Sequence, residues 1–265
     1  MSLTLPAQTL RAVATDLRRL NYTPTSWQAL LSNHSESIRK QLEPLLVEMV
    51  REGGHPRLMA LLLDRLADAR EVLQRERNAW SFVWSGPDPL HAKTADTFAT
   101  VDQIIGEARS SLLIATYNIG LSSEFRSLFA SIADRLAKGQ LRRIDLFFHP
   151  KQIEERLGAD PLEAISTWFN REVWPWPAKP HAYVDRRLIS GSAERCYQHA
   201  KVVIADASTS DAKALVTSAN FSETAQRHNF EAGWLTKSVP KVQEINKQFS
   251  MAVDQGLFLP LEIDS

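Results

Sequence analysis

The stretch 198–231 constrains this chain more than any other. It reads QHAKVVIADASTSDAKALVTSANFSETAQRHNFE. His199, Lys201 and Asp206 stand in the spacing H-x-K-x4-D, Ser218 and Asn220 follow two apart, and Glu231 closes the segment. The apolar run 202–205 between the lysine and the aspartate predicts a buried strand. Residues two apart on a strand share a face, so His199 and Lys201 project together and Asp206, at the strand's far end, has the opposite parity. A second short run, 214–217, leads to Ser218 and Asn220. An imidazole, a cation and an amide converging at strand ends form a kit for gripping and attacking a phosphate.

These residues resemble the HKD signature of the phospholipase D superfamily, H-x-K-x4-D followed by G-S-x-N and a later glutamate. His199, Lys201, Asp206, Ser218, Asn220 and Glu231 match it. Thr217 stands where the signature has glycine, a residue that lets backbone approach a phosphate closely, so pocket width is the property this departure touches. The polar 208–213 reads as a loop insertion. The resemblance implies an α/β fold, a phospholipase-D-like mixed sheet flanked by helices.

Composition narrows the setting. The chain has 265 residues, enough for one large or two small domains. Lys and Arg total 31 and so do Asp and Glu, so no overall basic excess marks a nucleic-acid binder. The single cysteine, Cys196, excludes an internal disulfide framework, fits a reducing cytoplasm and reads as a packing residue. No apolar run reaches the length of a membrane span, and the N-terminus lacks a signal-peptide core. The expected location is cytoplasmic.

Along the chain, 1–78 reads as a small all-helical N-terminal domain. Leu10, Val13, Leu17 and Leu20 recur at helical spacing, and further helices are expected from Ser26, over 35–51 up to Gly53-Gly54, and from Pro56 to about 77. The pattern changes at 80–84, WSFVW, which predicts the first strand of a second domain, 79–265. Helices over 94–108 and 124–138 alternate with strands over 111–116 and 143–148, which argues for βαβ units. Two short helices are expected within 151–169, and an aromatic loop or edge element with Pro175 and Pro177 over 172–176. A strand at 182–184, another at 230–235 and a closing helix over 242–253 complete the reading. Arg186, Arg187 and Arg195 place positive charge just before the motif, as surface charge or as contacts to a substrate backbone. His91-Ala92-Lys93 repeats part of the signature, but Asp96 follows at the wrong distance and no apolar strand intervenes.

The chain therefore holds one complete motif. In the superfamily the active site needs two, and compact members supply them as a symmetric homodimer; the resemblance implies the same here, with His199 of each subunit facing the other. It implies a metal-independent phosphodiesterase that needs no cofactor. One His199 attacks phosphorus, the other protonates the leaving oxygen, Lys201 and Asn220 stabilise phosphoryl charge, and Ser218 adds a hydrogen bond. Glu231 would orient the imidazole, and Asp206 would have a supporting role. Nucleic acid, DNA favoured, is the expected substrate. The alternatives are a catalytically silent nucleic-acid-binding subunit and a phospholipid-headgroup hydrolase. The whole layout, with V-W-S-G-P at 83–87, is similar to the phospholipase-D-like component of bacterial DISARM anti-phage systems, which implies helicase and methyltransferase partners.

Overall fold

The structure is a computed structural model that describes residues 5–86, 95–190 and 197–262. The expected His91–Lys93 echo, Arg195 and Cys196 lie outside these residues. The chain divides into two compact units, Met1–Asn78 and Ala79–Ser265.

The first unit is helical: α1 (Ala7–Arg18), α2 (Gln28–Leu31), α3 (Glu36–Arg51) and α4 (Pro56–Asn78). The expected periodicity holds, since Leu10, Val13 and Leu17 of α1 are fully buried with Leu42 and Leu46 of α3 and Met59 and Leu63 of α4. Arg11 bridges from α1 to Asp68 and Glu71 of α4. Gly53, at φ 81°, ends α3 because the left-handed turn lets Gly54 N–H reach the Met49 carbonyl at 2.8 Å.

The second unit is a mixed sheet between helices. Its strands are β1 (Trp80–Ser85), β2 (Ala95–Asp96), β3 (Ser111–Thr116), β4 (Arg143–Phe148), β5 (His181–Asp185), β6 (Val202–Ala205), β7 (Lys213–Thr217), β8 (Glu231–Thr236) and β9 (Phe258–Pro260). The order across the sheet is β2-β1-β8-β7-β6-β3-β4-β5-β9. Strands β3, β4 and β5 run parallel, while β6, β7 and β8 pair antiparallel with their neighbours. These directions place the C-terminal ends of β1, β3, β4, β5 and β7 on one edge, together with the N-terminal ends of β6 and β8.

One sheet face buries Leu112, Ile114, Leu146, Val203 and Leu215 against α5 (Thr97–Glu107), α6 (Ser123–Ala137) and α7 (Pro161–Trp168). The other buries Leu113, Ala115, Phe147, Val202 and Ile204 against a later helix, Val239–Asp254. A short helix, α8 (Arg186–Ile189), makes that closing helix α9. Both faces of β3 and β6 are covered, which is why these strands read as unbroken apolar runs. The segment expected as a loop or edge element opens with a π-turn, Phe169–Val173, and sends the fully buried Trp174 against Phe129 at 5.6 Å. Its aromatic content thus belongs largely to the core. Among the described residues no helix is long and apolar enough to cross a membrane.

Candidate active site

The reactive groups gather where strand topology brings chain ends to one edge. His199 and Lys201 immediately precede β6, Ser218 and Asn220 follow β7, and Glu231 opens β8. Lys201 extends the β6–β7 pairing by one residue (Thr217 N–H to Lys201 carbonyl, 3.1 Å).

Lys201 is only 6% exposed, yet among the described residues it forms no ion pair. Its Nζ donates to the His199 carbonyl at 2.8 Å and stands 2.8 Å from His199 Nδ1 and 3.1 Å from Nε2. Burial pulls its pKa below the usual lysine range, partly countered by the Glu231 charge. The pKa of His199 is also lowered, first by partial burial of its ring, then by the Lys201 and His149 charges. Both shifts favour the neutral base, the form in which an imidazole attacks phosphorus.

Ser218 Oγ donates to the Glu231 carboxylate and accepts from Ala232 N–H at 3.1 Å. Asn229 Nδ2 donates to the other Glu231 oxygen at 3.2 Å. The sequence reading gave Glu231 the task of holding the His199 imidazole. The structure instead spends the carboxylate on Ser218 and Asn229, its neighbours across and along the strand. Asn220 accepts from Asn118 N–H through Oδ1 at 3.3 Å, which leaves its amide N–H₂ available for a ligand.

The Thr217 departure has a structural counterpart. Thr217 pairs with Gly233 across the sheet, and a Cβ on Gly233 would stand 2.8 Å from Thr217 Cβ and 2.7 Å from the Val216 carbonyl oxygen. The missing side chain on β8 makes room for the extra one on β7. Thr217 Oγ1 is used internally, donating to the Ala232 carbonyl at 3.2 Å and accepting from Ala219 N–H at 3.1 Å.

Asp206 does not join this edge. It sits at the opposite end of β6, at φ 54°, and its carboxylate accepts from Arg109 N–H (2.8 Å), Ser110 N–H and hydroxyl (2.7 Å each) and Ser111 N–H (3.0 Å). Burial alone would raise its pKa, but the Ser110 hydroxyl and these backbone donors outweigh burial and hold the carboxyl below the usual range. Its opposite strand parity is seen in this placement, and its bonds run to the entry of β3 rather than to His199 or Lys201.

Groups that the motif does not contain complete the edge. Tyr117, directly after β3, packs against His199 with centroids 4.9 Å apart, and His149, directly after β4, stacks on Tyr117 at 5.0 Å. Gln152 Nε2 donates to Asn118 Oδ1 at 2.8 Å and to the Ile119 carbonyl at 2.7 Å. The signal available in the sequence was position alone, since each of Tyr117 and His149 follows the C-terminal end of a strand in a parallel pair, where sites in open α/β sheets form. Of the arginines expected near the motif, Arg187 is held by Asp185 at 2.6 Å and Arg186 is exposed. A hollow of about 250 Å³ beside His199 is walled by Phe249, Ala252 and Phe258. Among the described residues no group of His, Cys, Asp or Glu side chains is arranged to hold a metal ion.

A mixed sheet between helix layers, with an H-x-K pair and an S-x-N pair brought to one edge, defines a phospholipase-D-like protein. Residues 101–253, more than half of the chain, match the family described as cardiolipin synthase, PLD-like domain, and the protein belongs to that family. No curated protein matches the chain. Among solved structures it is similar to NucT from Helicobacter pylori, with 14% identity, a TM-score of 0.47 and coverage of 69% of this chain and 99% of that one. It is also similar to Nuc from Salmonella typhimurium, a phospholipase D family member (16%, 0.43, 69% and 97%). Phosphatidylserine synthase from Haemophilus influenzae Rd KW20 gives 15%, 0.46, 77% and 47%. Likenesses at this level carry no statement about substrate.

Proposed function

We propose that the protein is a phosphodiesterase that cleaves nucleic acid through a phosphohistidine on His199, without a metal ion. The observation that carries this reading is the Lys201 ammonium: buried, without an ion pair among the described residues, and beside an imidazole biased to its neutral form. An unpaired buried cation is costly. A phosphodiester monoanion supplies the missing charge and brings phosphorus within reach of His199.

The chemistry then runs in two displacements. The neutral imidazole forms a P–N bond as the P–O bond to the leaving group breaks, and the protonated imidazole of the partner subunit's His199 gives its proton to the departing oxygen. That same imidazole, now neutral, takes a proton from water, whose oxygen displaces His199 from phosphorus. Lys201 and the free Asn220 amide stabilise the phosphoryl oxygens in both steps. One motif per chain supplies half of this machinery, so the active species is a homodimer related by a two-fold axis. A monomer in light scattering that still turns over substrate would refute the dimer.

The likeness of the layout to the DISARM component supports foreign DNA as the target, in a complex with other defence proteins. A second reading, transfer or hydrolysis at a phospholipid headgroup, has the family's description in its favour. Labelled single-stranded DNA and phospholipid vesicles, each incubated with the protein in the presence of a chelator, separate the two. Cleavage of DNA with an acid-labile phosphoryl label on the protein, absent from His199→Ala, is the expected result. Turnover of vesicles alone moves the protein to the lipid reading, and DNA binding without any cleavage makes it a silent subunit.

A further inference from the structure

A nucleophilic imidazole must be held in one plane for its lone pair to meet phosphorus in line. In many enzymes a carboxylate does this from the ring's other nitrogen. Here the nearby carboxylate, Glu231, is taken by Ser218 and Asn229. Lys201 does not substitute for it. Its Nζ lies within 3.1 Å of both ring nitrogens, whose lone pairs diverge in the ring plane, so one ammonium cannot align with both.

The ring also makes a tilted aromatic contact. His199 lies against Tyr117 at 4.9 Å with 44° between planes. Tyr117 is itself fixed from behind, because His149 stacks on it at 5.0 Å and 11°, and Tyr197 meets Tyr117 and His149 edge-on at 5.8 and 5.1 Å. His149 is 1% exposed; among the described residues neither ring nitrogen makes a hydrogen bond, and Nε2 stands 3.3 Å from the Glu154 carboxylate, an ion pair when the ring is protonated. Buried in this way, the imidazole supplies a flat, rigid backing for Tyr117. The Lys201 and Lys151 ammonium groups, 5.7 and 5.3 Å from the Tyr117 centroid, hold the ring further.

We propose that Tyr117, backed by His149, is the positioning residue of the nucleophile: its ring sets the plane of the His199 imidazole. A ring contact of this kind makes no hydrogen-bonding demand on either nitrogen of His199, so the attacking nitrogen keeps its lone pair for phosphorus. The inference rests on His199 as the attacking group, and it is tested by two readouts, only one of which needs turnover.

The first is histidine ring NMR of the free protein, with the His199 signals assigned by their loss in His199→Ala. In the native protein these protons carry a ring-current shift from Tyr117. Tyr117→Phe keeps the shift, and Tyr117→Leu abolishes it. The second is hydrolysis of bis(p-nitrophenyl) phosphate. Tyr117→Leu lowers kcat roughly 100-fold with KM nearly unchanged, the size of effect expected from a misplaced reacting group, while Tyr117→Phe stays within about threefold. If Tyr117→Leu melts below the assay temperature, His149→Ala carries the test, with a diminished shift and a kcat lower by about tenfold. Native kcat in Tyr117→Leu, or in His149→Ala where that variant stands in, overturns the proposal, as does a KM effect alone or a Tyr117→Phe variant as impaired as Tyr117→Leu. A native protein that never turns over a phosphodiester sinks the proposed function, and the NMR comparison still decides whether Tyr117 fixes the ring.

Discussion

The two ends of β6 are built on opposite principles. At one end, His199 and Lys201 meet an aromatic wall and each other, and the buried lysine has no anion among the described residues. At the other, Asp206 accepts four hydrogen bonds, its own N–H donates to the Ser111 carbonyl at 3.0 Å, and its carbonyl accepts from Thr209 N–H at 2.9 Å. Lys201 and Asp206 are separated by roughly 16 Å of extended chain. Electrostatics divides them in the same way. The lowered pKa of Asp206 holds a charge in place, whereas the lowered values of His199 and Lys201 disfavour charge that a phosphate would restore. The end whose polar groups are satisfied stabilises the fold, and the end left unsatisfied is where a ligand gains free energy by binding.

The largest expected effect breaks only the open end. His199→Ala removes the proposed nucleophile and should lower phosphodiester cleavage on the order of 10⁴-fold or more, as deletion of a nucleophile does elsewhere. Because His199 is exposed as a residue, the melting temperature should stay within about 1 °C of native, a typical result for a surface substitution away from structural features. Paired assays of rate and thermal melting check both halves. A large loss of stability would mean that the two ends of β6 are not separable.

Lys201→Met sharpens the contrast, because it should move activity and stability in opposite directions. The phosphate-stabilising role proposed for Lys201 predicts a fall in kcat of about 10²–10³-fold. Replacing a buried unpaired charge by an apolar chain of similar size predicts a higher melting temperature. The Lys201 charge also contributes to holding down the His199 pKa, after burial of the ring. Removing it should therefore raise that pKa, and the acid limb of kcat/KM should move to higher pH. A rate profile in which the acid limb moves down would contradict the assigned contact.

How much of this was legible in the sequence differs between the two ends as well. Strands β3 and β4 coincide with the strands expected at 111–116 and 143–148; β3, buried on both faces, leaves an almost continuous apolar signal, and β4 leaves one over its last three residues. The two-residue β2 and three-residue β9 left none, since their existence depends on the register of a neighbour rather than on their own pattern. The parity of Asp206 set it apart from His199 and Lys201, but its partners at 109–111 are nearly a hundred residues away and no spacing rule reaches them. The same holds for Tyr117 and His149, which only the parallel pairing of β3 with β4 brings together. Thr217, a departure when read alone, is explained by Gly233, its partner across β7 and β8.

The closed end is tested by Asp206→Asn. An amide oxygen accepts less strongly than a carboxylate, and its N–H₂ would face backbone donors, so the fold should lose about 1–3 kcal/mol at neutral pH. The kcat of the folded fraction should remain within about threefold, in contrast to the open-end variants. The sign of the acid dependence follows from the direction of the shift. A carboxyl whose folded pKa is depressed contributes stability that is present above its unfolded pKa, near 3.9, and is lost as pH falls through the folded value. Native protein should therefore lose more stability than the variant as pH falls below about 4, and their urea midpoints should converge in acid.

The smallest effect is expected at Glu231, and its size decides which group orients the nucleophile. A carboxylate bound to the imidazole, as in a triad, costs about 10⁴-fold when converted to the amide, because the wrong tautomer is then held. Glu231 instead bonds Ser218 and Asn229 and reaches Lys201 only through its charge. Glu231→Gln can keep a bond from Ser218 through its amide oxygen and loses only a long-range charge. The expected cost in kcat is less than about tenfold, with the Lys201 pKa lowered further by loss of the charge that had raised it. A cost approaching 10⁴-fold would transfer the orienting role from the Tyr117 ring back to the carboxylate. It would also mean that Glu231 leaves Ser218 for His199 when substrate binds, so that the open end of β6 acquires the saturated character of the closed end only during the reaction.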